Sequence, residues 1–280
     1  MEDTFNKDTN ISSWKQVERR MPPKKILIFL FFILSALSFF RLFKMTINSS
    51  TLPKALHVPR KLTHCTTTHE EDNLTTKEYQ FISNLISRKA PCNLLFFGFK
   101  PQVLGLALLN TKGVTAILED DEEKLKRITE QTIGVRFFKV KYHEKAKEAY
   151  ELLKHAREHF GCKLEAIKLL EERGCRLQIE MPKEVYDKKW DVVVVDGPRG
   201  DNPETPGRME AIYEAGVIAR LGNSTDVFVH DVQRTIEKWY SWEFLCHENL
   251  ISSKGKLWHF RVEGGSKLTS FCPEVKFHIL

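Results

Sequence analysis

Three acids stand where short apolar runs end. Glu119 follows residues 114–118, Asp196 follows 191–195, and Asp231 follows 226–229 with His230 beside it. If those runs are strands of one open α/β sheet, their carboxyl ends share an edge, and ligands bind in the crevice along that edge. An acid after the second strand, 20 residues past Phe99, stands at the interval at which a carboxylate accepts both hydroxyls of a ribose. Glu119 therefore suits a nucleoside-containing cofactor; with Asp120 and Asp121 following, the other reading is an exposed acidic turn. Asp196 closes the run Trp190-Asp-Val-Val-Val-Val-Asp196 and meets Gly197, Pro198 and Gly200, which turn the backbone sharply. A carboxylate there is a catalytic candidate, or the cap of an ordinary strand-to-helix turn. His230 offers a general base or a metal ligand, or a hydrogen-bonded structural imidazole. Arg199 and Arg208 can clamp an acidic sugar or a phosphate with paired N–H donors. Arg208 follows Gly207 where a helix begins, so its charge opposes the helix dipole.

The elements that must position these groups are legible in order. Thr75 and Glu78 form a capping box for a helix through about residue 87. Strands are expected at 93–99, 114–118, 135–142, 191–195, 226–229 and 257–262. Helices are expected at 101–109, 122–131, 144–160 and 209–221, with a further one after residue 232. The run at 161–181 reads as an insertion between Cys162 and Cys175. Alternating strands and helices imply a doubly wound, mostly parallel sheet with helices on both faces. The turn after the first strand offers Gly98-Phe-Lys-Pro101, with a single glycine where a nucleotide site usually has several.

Before this domain the composition changes. Residues 1–25 read as a polar, basic cytosolic tail, and residues 26–43 as an apolar span near the short limit for a transmembrane helix. Arg19, Arg20, Lys24 and Lys25 precede that span, against Arg41 and Lys44 after its core, which places the N-terminus in the cytosol and the remainder in a lumen. A long lead and no small-residue cleavage site argue for an uncleaved anchor over a signal peptide. A short span favours early secretory membranes. Residues 44–75 form a stem and residues 76–280 the lumenal domain. Asn48, Asn73 and Asn223 begin glycosylation sequons.

The net charge of +6 draws heavily on the first 61 residues, and later basic residues interleave with glutamates. No nucleic-acid partner is implied. Six cysteines show no Cys-x-x-Cys pair, which excludes a zinc-ribbon pattern and suits an oxidising compartment. Cys162 and Cys175 flank the insertion and are expected to be bridged, a closure worth about 3 kcal/mol. Cys92 with Cys246 is the second expected pair.

Five stretches then stand together: Pro91-Cys-Asn-Leu-Leu-Phe-Phe-Gly98, Trp190 to Gly200, Pro206-Gly-Arg-Met209, Asp226-Val-Phe-Val-His-Asp231 and Glu243-Phe-Leu-Cys246. In this order, over roughly residues 75–262, the chain resembles the plant polysaccharide-biosynthesis family of glucuronoxylan 4-O-methyltransferases, arabinogalactan methyltransferases and irregular-xylem fifteen proteins. The resemblance implies a single-pass Golgi membrane protein of xylan synthesis with an S-adenosylmethionine-dependent methyltransferase fold. It implies methylation of glucuronic acid side chains, with other xylan-synthesis proteins as partners. Gly98 and Glu119, with Asp196, would then touch the cofactor. Asp196, Asp231 and His230 would serve the acceptor side, with a divalent metal as an option, and Arg199 and Arg208 would bind the acidic polysaccharide. Two positions depart from the methyltransferase pattern. Phe97-Gly-Phe-Lys-Pro101 replaces Phe-Gly-Leu-Gly-His, and Val195-Asp-Gly-Pro-Arg-Gly-Asp201 is nearer the irregular-xylem branch, which is linked to xylan chain length and deposition. Lys256-Leu-Trp-His-Phe260 is similar to the methyltransferase ending. A non-catalytic component of xylan synthesis is therefore the alternative expectation.

Overall fold

In the computed structural model, residues 73–129, 134–168, 174–265 and 270–272 are described. All belong to the second of two units, His69–Leu280. The expected tail, the anchor at 26–43 and nearly all of the stem lie outside the described residues. Among the described residues, no helix is long and apolar enough to cross a membrane.

The strands are β1 (Asn93–Phe97), β2 (Val114–Glu119), β3 (Val135–Lys139), β4 (Val192–Val195), β5 (Ser224–Val229), β6 (Leu250–Lys254) and β7 (Leu257–Glu263). Their order is β3-β2-β1-β4-β5-β7-β6. The first five run parallel, and β7 and β6 return antiparallel. Chain order reverses between β1 and β4, and such a switch point opens a crevice at the strand ends.

The central strands are apolar on both faces because helices cover both. Leu94, Phe96, Val192 and Val194 pack with Ile82, Ile86 and Leu106 of α1 (Thr76–Lys89) and α2 (Pro101–Leu108). Leu95, Phe97, Val193 and Val195 face Leu152, Leu153, Tyr213 and Phe244, from α4 (Ala149–Glu158), α7 (Met209–Leu221) and α8 (Thr235–Phe244). This period of two, with both faces buried, turns a four-valine run into a central parallel strand. Helix α3 is Glu122–Thr129, and the short α5 and α6 are Leu164–Lys168 and Lys183–Asp187.

The capping box forms as expected: Thr75 N–H and Oγ1 each donate to Glu78 Oε2 at 2.8 Å. Several bounds differ from the sequence expectation. The first strand stops at Phe97 because Gly98 takes φ +90°. The helix expected over 144–160 begins with a 3-10 turn at Ala146–Glu148 and is α-helical only over Ala149–Glu158. Helix α7 is buried nearly all round, not along one stripe, since the sheet, α8 and the C-terminal segment enclose it.

Cys162 and Cys175 are bridged as expected. The second pair is Cys246 with Cys272, not Cys92 with Cys246. Cys92 is a buried free thiol beside β1, while Cys246 follows α8 on the opposite helix layer.

Candidate active site

The switch point is built from two glycines set against each other. A Cβ on Gly98 would lie 2.6 Å from the Gly197 Cα, and a Cβ on Gly197 the same distance from the Gly98 Cα. Both turns must therefore be bare backbone. Gly98 N–H donates to Leu118 O at 2.8 Å and Asp196 N–H to Phe97 O at 3.0 Å, so strand pairing continues into the turns.

Glu119 ends β2 and is 3% exposed. Its Oε2 accepts the Phe99 N–H at 2.6 Å and Lys124 Nζ at 2.9 Å. Its Oε1 receives a long contact, 3.4 Å, from Asp121 N–H. The carboxylate is thus held chiefly through Oε2, with the Asp120 carboxyl, pushed up by burial and by the Glu119 charge, also hydrogen-bonded to it.

Asp196 gathers three donors on one oxygen. Lys100 Nζ lies 2.8 Å from Oδ1, the His230 Nδ1 2.8 Å and Arg208 Nη2 3.3 Å. Burial pushes this carboxyl up, but the His230 hydrogen bond and the Lys100 and Arg208 charges outweigh burial and hold it below the usual range. The Arg208 guanidinium is buried and spans two acids. Its Nη1 donates to His230 O and approaches Asp231 Oδ2, both at 2.7 Å. Burial likewise opposes the charge on Asp231, yet Arg208, His230 and Arg234 bring its pKa down to about 2. The backbone at Asp231 takes φ +62°, a conformation aspartate tolerates better than most residues.

A cleft of about 250 Å³ opens over this edge, and Gly98, Glu119, Asp196, Arg199 and Arg208 all line it. Arg199 is exposed at its mouth and pairs with Asp201 at 2.7 Å. His230 and Asp231 are not among the lining residues. His230 is fully buried, with Nδ1 on Asp196 and Nε2 3.7 Å from Glu78 Oε2. Asp231 stands beyond Arg208 and is 1% exposed. The two support the cleft from behind.

Lys100, Glu78 and Arg234 also belong to the site, and none of them stands out in the sequence as a site residue. Lys100 was visible only as a missing glycine. Glu78 reads as a cap, yet it also accepts Lys256 N–H at 2.6 Å and so docks the β6–β7 turn beside His230. Arg234 lines the cleft and lies 3.4 Å from Asp231 Oδ2.

A family model described as IRX15/IRX15L/GXM matches residues 77–260.

The chain belongs to this family.

Glucuronoxylan 4-O-methyltransferase 2 of Arabidopsis thaliana is 36% identical over 218 residues, covering 76% of this chain and 74% of that protein. Protein IRREGULAR XYLEM 15 of the same plant is 36% identical over 233 residues, covering 81% and 72%. Arabinogalactan O-methyltransferase 2, also from Arabidopsis thaliana, is 33% identical over 215 residues, covering 75% and 74%. Among solved structures, a methyltransferase-like protein from Silicibacter pomeroyi superposes on 69% of this chain and 88% of its own, at 14% identity and a TM-score of 0.39.

The residues of this IRX15/IRX15L/GXM member fit a nucleoside cofactor better than a metal. Glu119 Oε1 and the bare backbone of Gly98 and Gly197 meet the needs of a ribose at the switch point. A divalent ion has its nearest donor set in Asp196, His230 and Asp231, whose ligand atoms lie within 4.8 Å of one another. Those atoms already carry Lys100 and Arg208, so a cation would enter against two positive charges. The donor set does not fit a divalent metal, and the expectation of one is set aside.

Proposed function

We propose that this protein is an S-adenosylmethionine-dependent O-methyltransferase of xylan synthesis, acting on glucuronic acid side chains of glucuronoxylan. The observation that carries the reading is Glu119: a buried carboxylate at the end of β2, pinned through Oε2, opening on a glycine-floored cleft at the switch point. Family membership supplies the reaction class. The anchor at 26–43, a type II orientation and a Golgi lumen belong to the same proposal and are supported by the charge and apolar pattern of the first 44 residues.

S-adenosylmethionine, when bound, supplies a methyl group whose bond to a sulfonium breaks as the sugar oxygen takes it. Glu119, pinned through Oε2, would hold the ribose hydroxyls of that donor. Asp196, held ionised by the donors on Oδ1, would accept a hydrogen bond from the acceptor hydroxyl and orient its oxygen, the proton passing to water as the hydroxyl is methylated. Arg199 at the mouth faces the sugar carboxylate. His230 and Arg208 orient Asp196 and keep its carboxylate from turning.

The Lys100–Asp196 ion pair favours a second reading. Its ammonium takes the place of a turn glycine and adds a like charge beside a sulfonium, which suits a member that holds xylan without transferring methyl groups. Incubating the full-length protein with methyl-labelled S-adenosylmethionine and glucuronoxylan oligosaccharides separates the two. Label on the uronic acid supports transfer. Label absent under saturating donor and acceptor leaves the second reading.

A further inference from the structure

Helix α8 has an outer face that is aromatic where a solvated helix is usually charged. Arg234, at its N-cap, lines the cleft. Lys238 and Trp242 follow at four-residue steps, and Trp239 lies three residues before Trp242, so these side chains share one side of the helix. Glu237, Tyr240, Ser241 and Phe244 take the buried side. Trp239 is 41% exposed and Trp242 44%. At the far end Trp242 meets Trp258 of β7, with ring centroids 5.7 Å apart and planes tilted by 31°. From Arg234 to Trp242 the face extends about 12 Å along the helix.

Two exposed indoles on one side of the helix, with Trp258 against the second, leave apolar surface that a soluble domain ordinarily covers or uses. Indole combines a flat apolar face with one N–H donor. That pair of properties matches a pyranose, which has an apolar C–H face and a rim of hydroxyls. Arg234 is held by Asp231 and Glu237, at 3.4 and 3.6 Å, and Lys238 one turn on sets positive charge between the cleft and the indoles, complementary to a uronic acid carboxylate.

We propose that the outer face of α8 is a docking track for an acidic polysaccharide, leading from the cleft across Lys238 and Trp239 to the Trp242–Trp258 pair. The track rests on the reading of the cleft as the site of glucuronoxylan. It adds where the polymer lies beyond the reacting unit and which side chains hold it. An acceptor gripped in this way places its side-chain sugar at the cleft mouth while the neighbouring units stack on the helix.

The test is calorimetric titration of the full-length protein, without S-adenosylmethionine, with glucuronoxylan oligosaccharides bearing unmethylated glucuronic acid and with neutral xylo-oligosaccharides. The acidic probe is expected to bind. The double variant Trp239→Ala/Trp242→Ala should weaken it roughly tenfold, the scale of truncating an interface tryptophan. Lys238→Glu should weaken the acidic probe and leave the neutral one alone. Trp242 also packs on Trp258, so melting is recorded to show that the double variant stays folded, and Trp239→Ala alone, which leaves that pair intact, should weaken the acidic probe as well. Unaltered affinity in the double variant, or no binding of the acidic probe by the parent, overturns the track. Equal affinity for both probes overturns its preference for acid. The competing occupant is this chain's own residues 273–280, which follow Cys272, whose Sγ lies 3.5 Å from Trp242 O. Tryptophan emission that responds to truncation after Cys272 and not to oligosaccharide would assign the face to that segment and overturn the track. A separate titration with S-adenosylmethionine keeps the two claims apart: donor binding with no oligosaccharide binding removes the track alone, and the converse removes only the methyl-transfer reading.

Discussion

Lys100 Nζ lies 2.8 Å from Asp196 Oδ1 and ties the turn after β1 to the turn after β4. The pair is mostly buried, with side-chain exposures of 17% and 3%, and it sits where the account places a sulfonium. Lys100→Met keeps the aliphatic stem and removes the charge. Affinity for S-adenosylmethionine is expected to rise about fivefold, the effect of ~1 kcal/mol of relieved like-charge repulsion in a partly hydrated cleft. Calorimetry on the two proteins measures it.

The Gly98–Gly197 contact gives a stability prediction independent of ligand. Alanine at position 98 must accept φ near +90° and a Cβ 2.6 Å from the Gly197 Cα. Backbone atoms cannot move aside as a flexible side chain can. Gly98→Ala is expected to cost at least about 2 kcal/mol, read as a lower urea midpoint at unchanged slope.

Glu210 of α7 sets a pH dependence. Burial pushes its carboxyl up to about 8, and N–H groups of His143 and Glu144 only partly offset that. The folded state then holds a proton that the unfolded chain releases near pH 4.5, the ordinary value for glutamate. Stability from this group is fully present below that pH and is lost as pH rises towards about 8. Urea midpoints should fall across that window, and Glu210→Gln should flatten the slope. Asp226 and Asp231, both brought down to about 2, act with the opposite sign: their contribution is present above the ordinary aspartate value of 3.8 and lost as pH falls towards 2.

Peptide mapping without reduction is expected to return Cys162–Cys175 and Cys246–Cys272, with Cys92 as the thiol left over. Burial pushes the Cys92 thiol up to about 11, so it should resist alkylation in the native protein. Cys272→Ser should cost about 3 kcal/mol through the freed loop. It also detaches Phe271, which packs at 5.2 Å on Phe244 and whose carbonyl accepts from Arg220 at 2.6 Å.

Much of this architecture is written locally. Four consecutive valines admit little except a strand covered on both faces, and Thr75 with Glu78 marks a helix start within one turn. The acids at strand ends were legible for the same reason, since the strands that carry them are short and sharply punctuated. The partners of those acids were not. Lys100 and Asp196 are 96 residues apart, and Glu78 and His230 are 152 apart, so only the sheet order brings them together. The Cys246 pairing failed on the same ground: nothing between residues 246 and 272 signals that the chain folds back across Phe244. His230 looks catalytic in sequence because it adjoins Asp231, but strand alternation turns its ring inward to Asp196 and Glu78.

Glu119 and the glycine floor are proposed to hold a methyl donor. Titration of S-adenosylmethionine into the full-length protein, with Glu119→Gln alongside and folding checked by melting, tests it most directly. One saturable site is expected in the parent, and affinity at least roughly tenfold weaker in the variant, as for a lost charge-assisted pair of hydrogen bonds. No heat of binding at millimolar S-adenosylmethionine, or equal affinity in the two proteins, would contradict it.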